Sequence, residues 1–316
     1  MRRLMIAMAL LLLNLPAHAA DRVSFGLDWL AEAEYGGYYQ AVATGLYAKH
    51  GLDVAIRQGG PQVNQTQLMM AGNLDFIITG NAFLSLNIAQ EKLPFTTIAS
   101  MFQRDPTVLI AHPGTGHDSF EQLRGQPIMI GAATRTSWWN FLASKYGYTD
   151  AQIRPYTFNP APFLADKNAV QQGYLGSEPF IIKQQAGFDP VVLLLADAGF
   201  NGYASLITTS DKLIASNPDL VQRFIDASIE GWASYLGQDP TPGNALMKQA
   251  NPEMTDALLA YGRDVLKSKG IVQSGDGIGA MTDARWASFT TAVIAEGLYP
   301  KELDWHRAYT LKFVKK

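Results

Sequence analysis

The sequence predicts an α/β protein with two lobes and a ligand cleft between them. Strand and helix patterns alternate over residues 23–111, and the same alternation resumes at residue 127. Such alternation is typical of parallel sheets joined by right-handed crossovers. Two strand patterns, at 107–111 and 202–207, lie where the chain would leave the first lobe and return to it. Two crossovers of this kind place a cleft between the lobes, where ligand sites are common.

The first lobe is predicted from a strict alternation of elements. Apolar runs of strand length and stretches with helical periodicity follow one another. Gly51 ends the first predicted helix as a left-handed C-cap would. The predicted strands cover 23–27, 52–56, 75–79, 95–101 and 107–111, and the predicted helices cover 37–49, 63–71 and 82–91.

The predicted second lobe repeats this pattern, and a largely helical part follows it. Its elements are a strand at 127–131, a helix at 137–146, strand-like stretches near 156 and 169, a strand at 191–195 and a returning strand at 204–208. Helices are then predicted from 216, over 251–269 and over 283–296, with 239–243 as a loop between two helices. The expected lobes are therefore 20–108 together with 204–316, and 109–203.

The first nineteen residues have the pattern of a secretory signal peptide, at 1–19. Two arginines precede an apolar run at 4–15, and residues 17–19 form an A-x-A cleavage pattern. The apolar run has about a dozen residues, whereas a membrane span needs about twenty. The longest later apolar run, 191–196, has the length of a strand. The sequence therefore predicts an exported protein of the bacterial periplasm.

Composition argues against several classes of function. Lysine and arginine total 25 and aspartate and glutamate total 28, and this mildly acidic balance argues against nucleic-acid binding. Without cysteine, the chain has no disulfide, thiolate nucleophile or iron–sulfur cluster. His112 and His117 lie five residues apart in a predicted loop, so no metal site and no cofactor are expected.

Acidic and aromatic residues are concentrated directly after the first predicted strand. Aromatic faces stack on a flat ligand while carboxylates accept its N–H groups, and loops at strand ends favour binding sites. The alternative interpretation places one or two of the tyrosines in the core. The carboxylate pair Glu32 and Glu34 is too common a pattern to indicate hydrolysis. The candidate ligand contacts in this segment are Asp28, Trp29, Tyr35 and Tyr39.

Two more candidate groups follow later strands. Asn81 lies where a strand meets a helix, so it either offers its amide to a ligand or caps the helix. Arg135 and Trp138 lie at the equivalent point of the second lobe, where a guanidinium suits an anionic group and an indole suits a ring. Because neighbouring helix residues face different ways, one of Trp138 and Trp139 is expected in the core.

The last candidates lie near the predicted return to the first lobe. Glu178 either accepts an amino group of the ligand or is a surface carboxylate. Phe200 and Tyr203 lie at the second crossover, where they form a wall of the cleft or pack the hinge.

Short motifs occur along the chain in a characteristic order. They are LDW at 27–29, Gly37 and Tyr39, AxGLYxxxGLDV at 43–54, LMMAGNLDF at 68–76, FEQLRG at 120–125, NPDLVQRF at 217–224 and GW at 231–232. In order and spacing they resemble the NMT1/THI5-like substrate-binding proteins. The resemblance implies a type II periplasmic-binding-protein fold with two lobes, two crossovers and closure on a ligand. Members deliver pyrimidine precursors of thiamin, and related proteins deliver riboflavin, sulfonates or nitrate, to ABC importers.

The chain departs from the family pattern in its first motif. Where the family has proline, asparagine and histidine, this chain has Ala31, Glu32 and Tyr35. Relatives that synthesise the pyrimidine use that histidine and a cysteine-rich site, so synthase chemistry is not expected here. In the family an acid before proline often lies at the cleft edge, which implies such a place for Glu178.

Together these features predict the substrate-binding protein of an ABC importer. It is expected to be a monomer whose partner is an ABC permease in the inner membrane. The expected ligand is a small flat heterocycle, with a thiamin pyrimidine precursor first, a flavin such as riboflavin second and a small sulfonate or carboxylate third. Two alternatives stay open: an exported enzyme on the same fold, for which the sequence has no nucleophile–base or metal set, and a sensory protein that docks to a receptor.

Overall fold

The computed structural model describes residues 19–61, 63–273 and 276–314. The predicted signal peptide at 1–19 therefore lies outside the described residues, except for Ala19. Within the described ranges, no helix combines the length and the apolar character that crossing a membrane requires.

The strands of the described chain form two five-stranded mixed sheets, one in each lobe. The first lobe is defined here by the first sheet and the second lobe by the second sheet. The first sheet contains β1 (Asp21–Gly26), β2 (Leu52–Arg57), β3 (Phe76–Asn81), β4 (Phe95–Phe102) and β10 (Ala204–Ser210). The second contains β5 (Thr107–Ala111), β6 (Ile128–Ile130), β7 (Ile153–Pro155), β8 (Val170–Tyr174) and β9 (Val191–Leu194).

Both sheets have the same topology. The strand orders are β2-β1-β3-β10-β4 and β7-β6-β8-β5-β9. In each sheet one strand runs antiparallel to its two neighbours, β10 between β3 and β4, and β5 between β8 and β9. These two antiparallel strands are the ones that follow the crossovers between the lobes. The predicted α/β class with two lobes and two crossovers is thus confirmed.

Helices cover both sheets, and most of the later ones pack on the first lobe. They are α1 (Gly36–Ala43), α2 (Leu46–Lys49), α3 (Gln65–Met70), α4 (Ala82–Gln90), α5 (Trp138–Tyr146), α6 (Ala161–Ala165), α7 (Glu178–Ala186), α8 (Asp211–Ser216), α9 (Pro218–Gly237), α10 (Thr241–Ala250), α11 (Asp256–Ser268) and α12 (Asp283–Ala295).

Two helix predictions were wrong in detail. The helix predicted over 37–49 is two helices, because Gly45 adopts a φ of 73° and interrupts it. The segment predicted as a loop at 239–243 contains the start of α10. Pro242 lies in the first turn of that helix, where the missing N–H costs nothing, so the proline marks a helix start and not a loop.

Close packing of α1 on α9 fixes the segment that follows β1. A methyl group on Gly37 would lie 2.7 Å from Cα of Trp232, so only glycine allows the two helices to approach this closely. Farther along α9, the ring of Phe224 stacks on that of Phe76 at a centroid distance of 4.0 Å. Residues 27–35 are therefore held at the carboxyl edge of the first sheet.

The two crossover segments are joined by one side chain of α12. Nη2 of Arg285 donates to the carbonyl oxygens of Gln103 (2.6 Å) and Gly202 (3.2 Å), which lie on the first and second crossovers. The guanidinium also lies 4.0 Å from the ring centroid of Tyr203. These contacts hold the two crossovers side by side, as a pair of hinge segments requires.

Candidate functional site

A small cavity lies where the carboxyl edges of the two sheets face each other. Carboxyl ends of parallel strands are the usual position of ligand sites in α/β proteins. The residues around it come from both lobes and from both sides of the second crossover. They are Asp28, Glu34, Tyr35, Ile78, Gly80, Phe102, Tyr174 and Ser205.

Asp28 and Tyr35 form one side of the cavity. The hydroxyl of Tyr35 donates to Oδ1 of Asp28 at 2.7 Å. Burial raises the pKa of the Asp28 carboxyl to about 6, although this hydrogen bond opposes the shift. Gly80 leaves room for the carboxylate, because a methyl group there would lie 2.9 Å from Oδ2 of Asp28.

Glu34 is the most deeply enclosed acid of the site. Its exposed fraction is 2%, and neither carboxyl oxygen has a hydrogen-bond partner among the described residues. Burial raises its pKa to about 7, and the negative charge of Glu178 adds to the shift. A methyl group on Gly176, in the second lobe, would clash with Oε1 of Glu34. Glu34 thus lies in the contact between the lobes.

Two further carboxyl groups complete an acidic cluster. Oε2 of Glu178 accepts hydrogen bonds from the backbone N–H of Tyr174 and from Oγ of Ser177, both at 2.7 Å. Burial nevertheless raises the pKa of Glu178. The pKa of Glu32 is raised well above its usual value, first by burial and then by the charge of Glu34. Acids from both lobes therefore converge on a region of low polarity.

Aromatic rings lie beside this cluster and also connect the lobes. The centroid of Trp29 lies 4.2 Å from that of Phe158, and Phe158 lies 4.8 Å from Tyr156. Phe158 has a φ of 62°, an uncommon value for a bulky residue. Strained backbone of this kind is concentrated at functional sites.

Ser205 is the second strained residue of the site. It has a φ of 46° at the start of β10, is 6% exposed, and its Oγ has no hydrogen-bond partner within the described part of the chain. It lines the cavity, and its side chain lies beside the buried hydroxyl of Tyr38.

The structure brings five of the predicted ligand residues to this region. Asp28 and Tyr35 line the cavity, Glu178 belongs to the acidic cluster and Trp29 to the aromatic contact. Asn81 follows Gly80 at the end of β3, and its buried Oδ1 has no partner among the residues described. Its side chain does not cap α4, contrary to the capping interpretation.

Tyr39 and Arg135 lie elsewhere, which corrects their predicted roles. Tyr39 is on the far side of α1, in an apolar groove that it forms with Val42 and with residues of β2 and α10. Arg135 is an exposed residue whose Nη2 pairs with Asp150 at 3.0 Å. Neither of them lines the cavity, because the faces of α1 and of the 132–136 segment are set by packing that the sequence pattern does not reveal.

Trp138, Phe200 and Tyr203 are packing residues, so the prediction that they contact ligand needs correction. Trp138 is 4% exposed in the main core, and its neighbour Trp139 is equally buried, so both tryptophans are core residues. Phe200 packs against the rings of Phe83, Phe141 and Phe289. Tyr203 lies under the Arg285 guanidinium, so both crossover aromatics pack the hinge.

Glu34, Tyr174, Phe158 and Ser205 are among the residues of the site that were not predicted as ligand contacts. Glu34 was noted only as half of a carboxylate pair, although its position after a strand was an available signal. Tyr174 ends β8, as residues at ligand sites often do. Phe158 and Ser205 gave no signal, because their role depends on a positive φ that side-chain pattern does not encode.

The described residues include no group of three or more His, Cys, Asp or Glu side chains arranged to hold a metal ion. His112 lies in the second lobe, where its ring stacks on Phe163 at 4.3 Å and Nε2 is 2.8 Å from the Phe163 carbonyl oxygen. The acids and hydroxyls of the site can exchange hydrogen bonds and protons with a bound molecule, and its aromatic rings can stack on one.

Two lobes with this topology, facing each other across a polar and aromatic site, define a periplasmic-binding-protein fold of the type found in ABC import systems. A family model described as NMT1/THI5 like matches residues 32–241. The chain belongs to this family.

Sequence relatives and solved structures agree with that assignment. The riboflavin-binding protein RibY of Chloroflexus aurantiacus is 28% identical over 306 residues, which cover 93% of this chain and 86% of that protein. A 4-amino-5-hydroxymethyl-2-methylpyrimidine phosphate synthase of Legionella pneumophila is 23% identical over 253 residues, which cover 75% of this chain and 76% of that protein. The alkanesulfonate-binding protein SsuA of Xanthomonas axonopodis pv. citri, bound to MOPS, has a TM-score of 0.66 at 13% identity and covers 93% and 99% of the two chains. The similarity to SsuA, at 13% identity, shows the fold alone.

Proposed function

We propose that this chain is the periplasmic substrate-binding protein of an ABC importer and that it captures a flat nitrogen heterocycle rich in N–H and O–H donors, of the flavin type. The observation that carries the proposal is the convergence of buried acids from both lobes beside the Trp29–Phe158 pair. In the proposed mechanism, the first lobe (20–108 and 204–316) and the second lobe (109–203) close on the ligand.

The acids favour a ligand that donates hydrogen bonds. A buried carboxyl group without a partner carries a desolvation cost that a ligand N–H or O–H group offsets. A sulfonate or carboxylate ligand would instead meet like charges, because no lysine or arginine occurs among the described residues that line the cavity. The acidic cluster therefore favours a heterocycle over the small anions.

A flavin matches the chemistry of this site in two ways, and the lobes must separate to admit it because the cavity encloses only about 210 Å³ in this closed form. Its ring system is broad enough to stack on Trp29 and Phe158, and its ribityl chain supplies several hydroxyl donors to the acids. RibY, whose name records riboflavin binding, is similar to nearly the whole chain. An aminopyrimidine of the thiamin-precursor type is the second candidate, because the cluster of Asp28, Glu32 and Glu178 also suits an amino group.

The proposal includes capture and delivery but no covalent step. The synthase relatives resemble this chain, yet it has Tyr35 at the family's histidine position and no cysteine. Export through the signal peptide at 1–19 and delivery by a monomer to an inner-membrane permease complete the proposed role.

Titration calorimetry of the protein purified without refolding tests this function. Riboflavin, 4-amino-5-hydroxymethyl-2-methylpyrimidine and an alkanesulfonate are compared as ligands. We expect riboflavin to bind most tightly and its fluorescence to be quenched on stacking with Trp29. Trp29→Ala is expected to weaken binding, whereas Trp305→Ala, which removes a ring from the stack on His306, is the matched control. Preferred binding of the alkanesulfonate would contradict the proposal.

A further inference from the structure

Glu34 occupies a position that opens and closes with the lobes. Its carboxyl group belongs to the first lobe and is covered by Gly176 of the second. On the other side lies Gly262 of α11, where a methyl group would be 2.6 Å from Cβ of Ala33 and 3.0 Å from the Gly176 carbonyl oxygen. Separation of the lobes therefore uncovers Glu34, and closure buries it.

Among the residues that the structure describes, the groups facing Glu34 supply no positive partner. Arg263 of α11 donates instead to the carbonyl oxygens of Tyr235, Leu236 and Gln238. The ionisable groups around Glu34 come from its own segment, from the second lobe, from α9 and from α11. They are Asp28, Glu32, Tyr174, Glu178, Tyr235 and Tyr261.

A second group points to a ligand at the same place. Ser205, on the other side of the cavity, has a buried Oγ with no hydrogen-bond partner among the described residues, and its backbone is strained. Buried polar groups are normally satisfied, and exceptions commonly mark functional positions. A bound molecule with polar hydrogens would serve both Glu34 and Ser205.

We propose that Glu34 determines ligand specificity by accepting a hydrogen bond from an N–H or O–H group of the ligand. The ligand-free protein rests in the closed form described here with Glu34 protonated, so this proton passes to the solvent when that ligand binds. This inference rests on the proposed function.

The physical basis is the enclosure of a carboxyl group beside another acid. Closure without a donor brings Glu34 toward Glu178 in a region away from water, which favours the neutral carboxyl form. A donor of the ligand favours the carboxylate instead, because hydrogen bonds to a charged acceptor are stronger than those to a neutral one. The proton of Glu34 then passes to the buffer, and binding becomes tighter as pH rises through about 7.

Proton release can be measured directly. Riboflavin is titrated at pH 6.5 in two buffers of different ionisation enthalpy, using the unaltered protein, Glu34→Gln and the exposed control Glu302→Gln. The unaltered protein and the control should release more protons than Glu34→Gln, by up to one. Glu34→Gln should also bind about tenfold more weakly, the scale of one hydrogen bond to a charged group.

Two riboflavin analogues identify which ligand group donates the hydrogen bond to Glu34. In 3-methylriboflavin the ring N–H is blocked, and lumiflavin lacks the ribityl hydroxyl groups. One of these should bind the unaltered protein more weakly than riboflavin, and the difference should shrink in Glu34→Gln. Should Glu34→Gln fail to fold, Glu34→Asp and the pH profile of the unaltered protein serve instead.

The outcomes separate the two proposals. If riboflavin and the aminopyrimidine both fail to bind the unaltered protein, the proposed function and the role of Glu34 are both overturned. If riboflavin binds, but proton release and analogue preference are the same with and without the Glu34 carboxyl group, only the role of Glu34 is overturned. If the affinity of the unaltered protein for riboflavin does not change between pH 5 and pH 8, the proposed role of Glu34 is likewise overturned.

Discussion

The ring of Trp29, which follows the first strand, lies 4.2 Å from the ring of Phe158 in the other lobe, with their planes inclined by 51°. This pair connects two segments that are far apart in the sequence. The two rings lie beside the acidic cluster, where the lobes meet. The contribution of the Trp29–Phe158 pair to ligand binding can therefore be tested directly.

Replacing Phe158 by alanine should weaken riboflavin binding about tenfold. The variant removes the second-lobe ring, and an aromatic pair contributes about 0.5–1.5 kcal/mol beyond the area it buries. Titration calorimetry measures the change. Phe188→Ala, which removes a second-lobe ring that packs on His112, should bind as the unaltered protein does. Equal affinities for both variants would contradict a role for Phe158.

Replacing Gly176 by alanine should push the Glu34 carboxyl group out of its position between the lobes. The added methyl group would clash with Oε1 of Glu34, so riboflavin affinity should fall at least tenfold. Gly237→Ala is the control, because no atom lies near a methyl group at that position. A riboflavin affinity of Gly176→Ala equal to that of the unaltered protein would show that the contact is dispensable.

The ligand-free protein should lose stability as pH rises through the range in which Glu34 titrates. Its pKa is raised from 4.5 to about 7, so between these values the folded state binds more protons than the unfolded state. The contribution of Glu34 to the free energy of unfolding therefore falls from pH 4.5 to pH 7. Relative to the unaltered protein, Glu34→Gln should gain stability at pH 8 compared with pH 5.

The control for this pH dependence has the opposite sign. Glu230 pairs with Lys49 and His50, and the hydrogen bond from His50 is the main cause that lowers its pKa. Stability from this group is present above its unfolded pKa and is lost as pH falls. Urea unfolding of Glu230→Gln should therefore show a small loss at pH 8 and none at low pH. A Glu34→Gln profile parallel to that of the unaltered protein would contradict the buried-acid interpretation.

Replacing Phe200 by alanine should destabilise the protein without changing its ligand preference. Phe200 is 1% exposed and packs against three other rings, so the cavity left by truncation should cost about 3–5 kcal/mol. Denaturant unfolding measures the loss, and competition between riboflavin and the aminopyrimidine measures preference. Arg135→Ala should change neither quantity strongly. A changed preference in Phe200→Ala would restore Phe200 as a ligand contact.

The order of elements was predictable because apolar spacing records which face of a strand or helix is buried. Strand β5 was predicted at its observed bounds. Asp28 and Tyr35 were predicted because strand ends collect ligand residues in α/β folds, and Glu178 because an acid before proline resembles the family pattern. All three lie at the contact between the lobes, and their role in binding stays a prediction. Asn81 and Trp29 follow the same strand-end reasoning.

The rest depended on tertiary packing. Tyr39 shares the motif that contains Asp28 and Trp29, but the turn of α1 directs it toward α10. Since α10 was itself not predicted, the groove around Tyr39 was not foreseeable. Arg135 was assigned to an anion because a guanidinium at a helix start suits one. Its observed partner, Asp150, lies fifteen residues later, and charge pairing at that separation leaves no periodic signal.

The placement of β10 has a consequence for how the chain acquires its structure. β4 pairs with the first sheet only through β10, which is separated from it by the whole second lobe. A chain shortened before Ala204 therefore leaves β4 without a neighbour and β3 with one bare edge, even though both strands are fully present. The first lobe cannot complete its sheet until β10, about a hundred residues after β4, has been synthesised. Because closing so long a loop costs conformational entropy, completion of the first lobe is expected to be a slow, late step of folding.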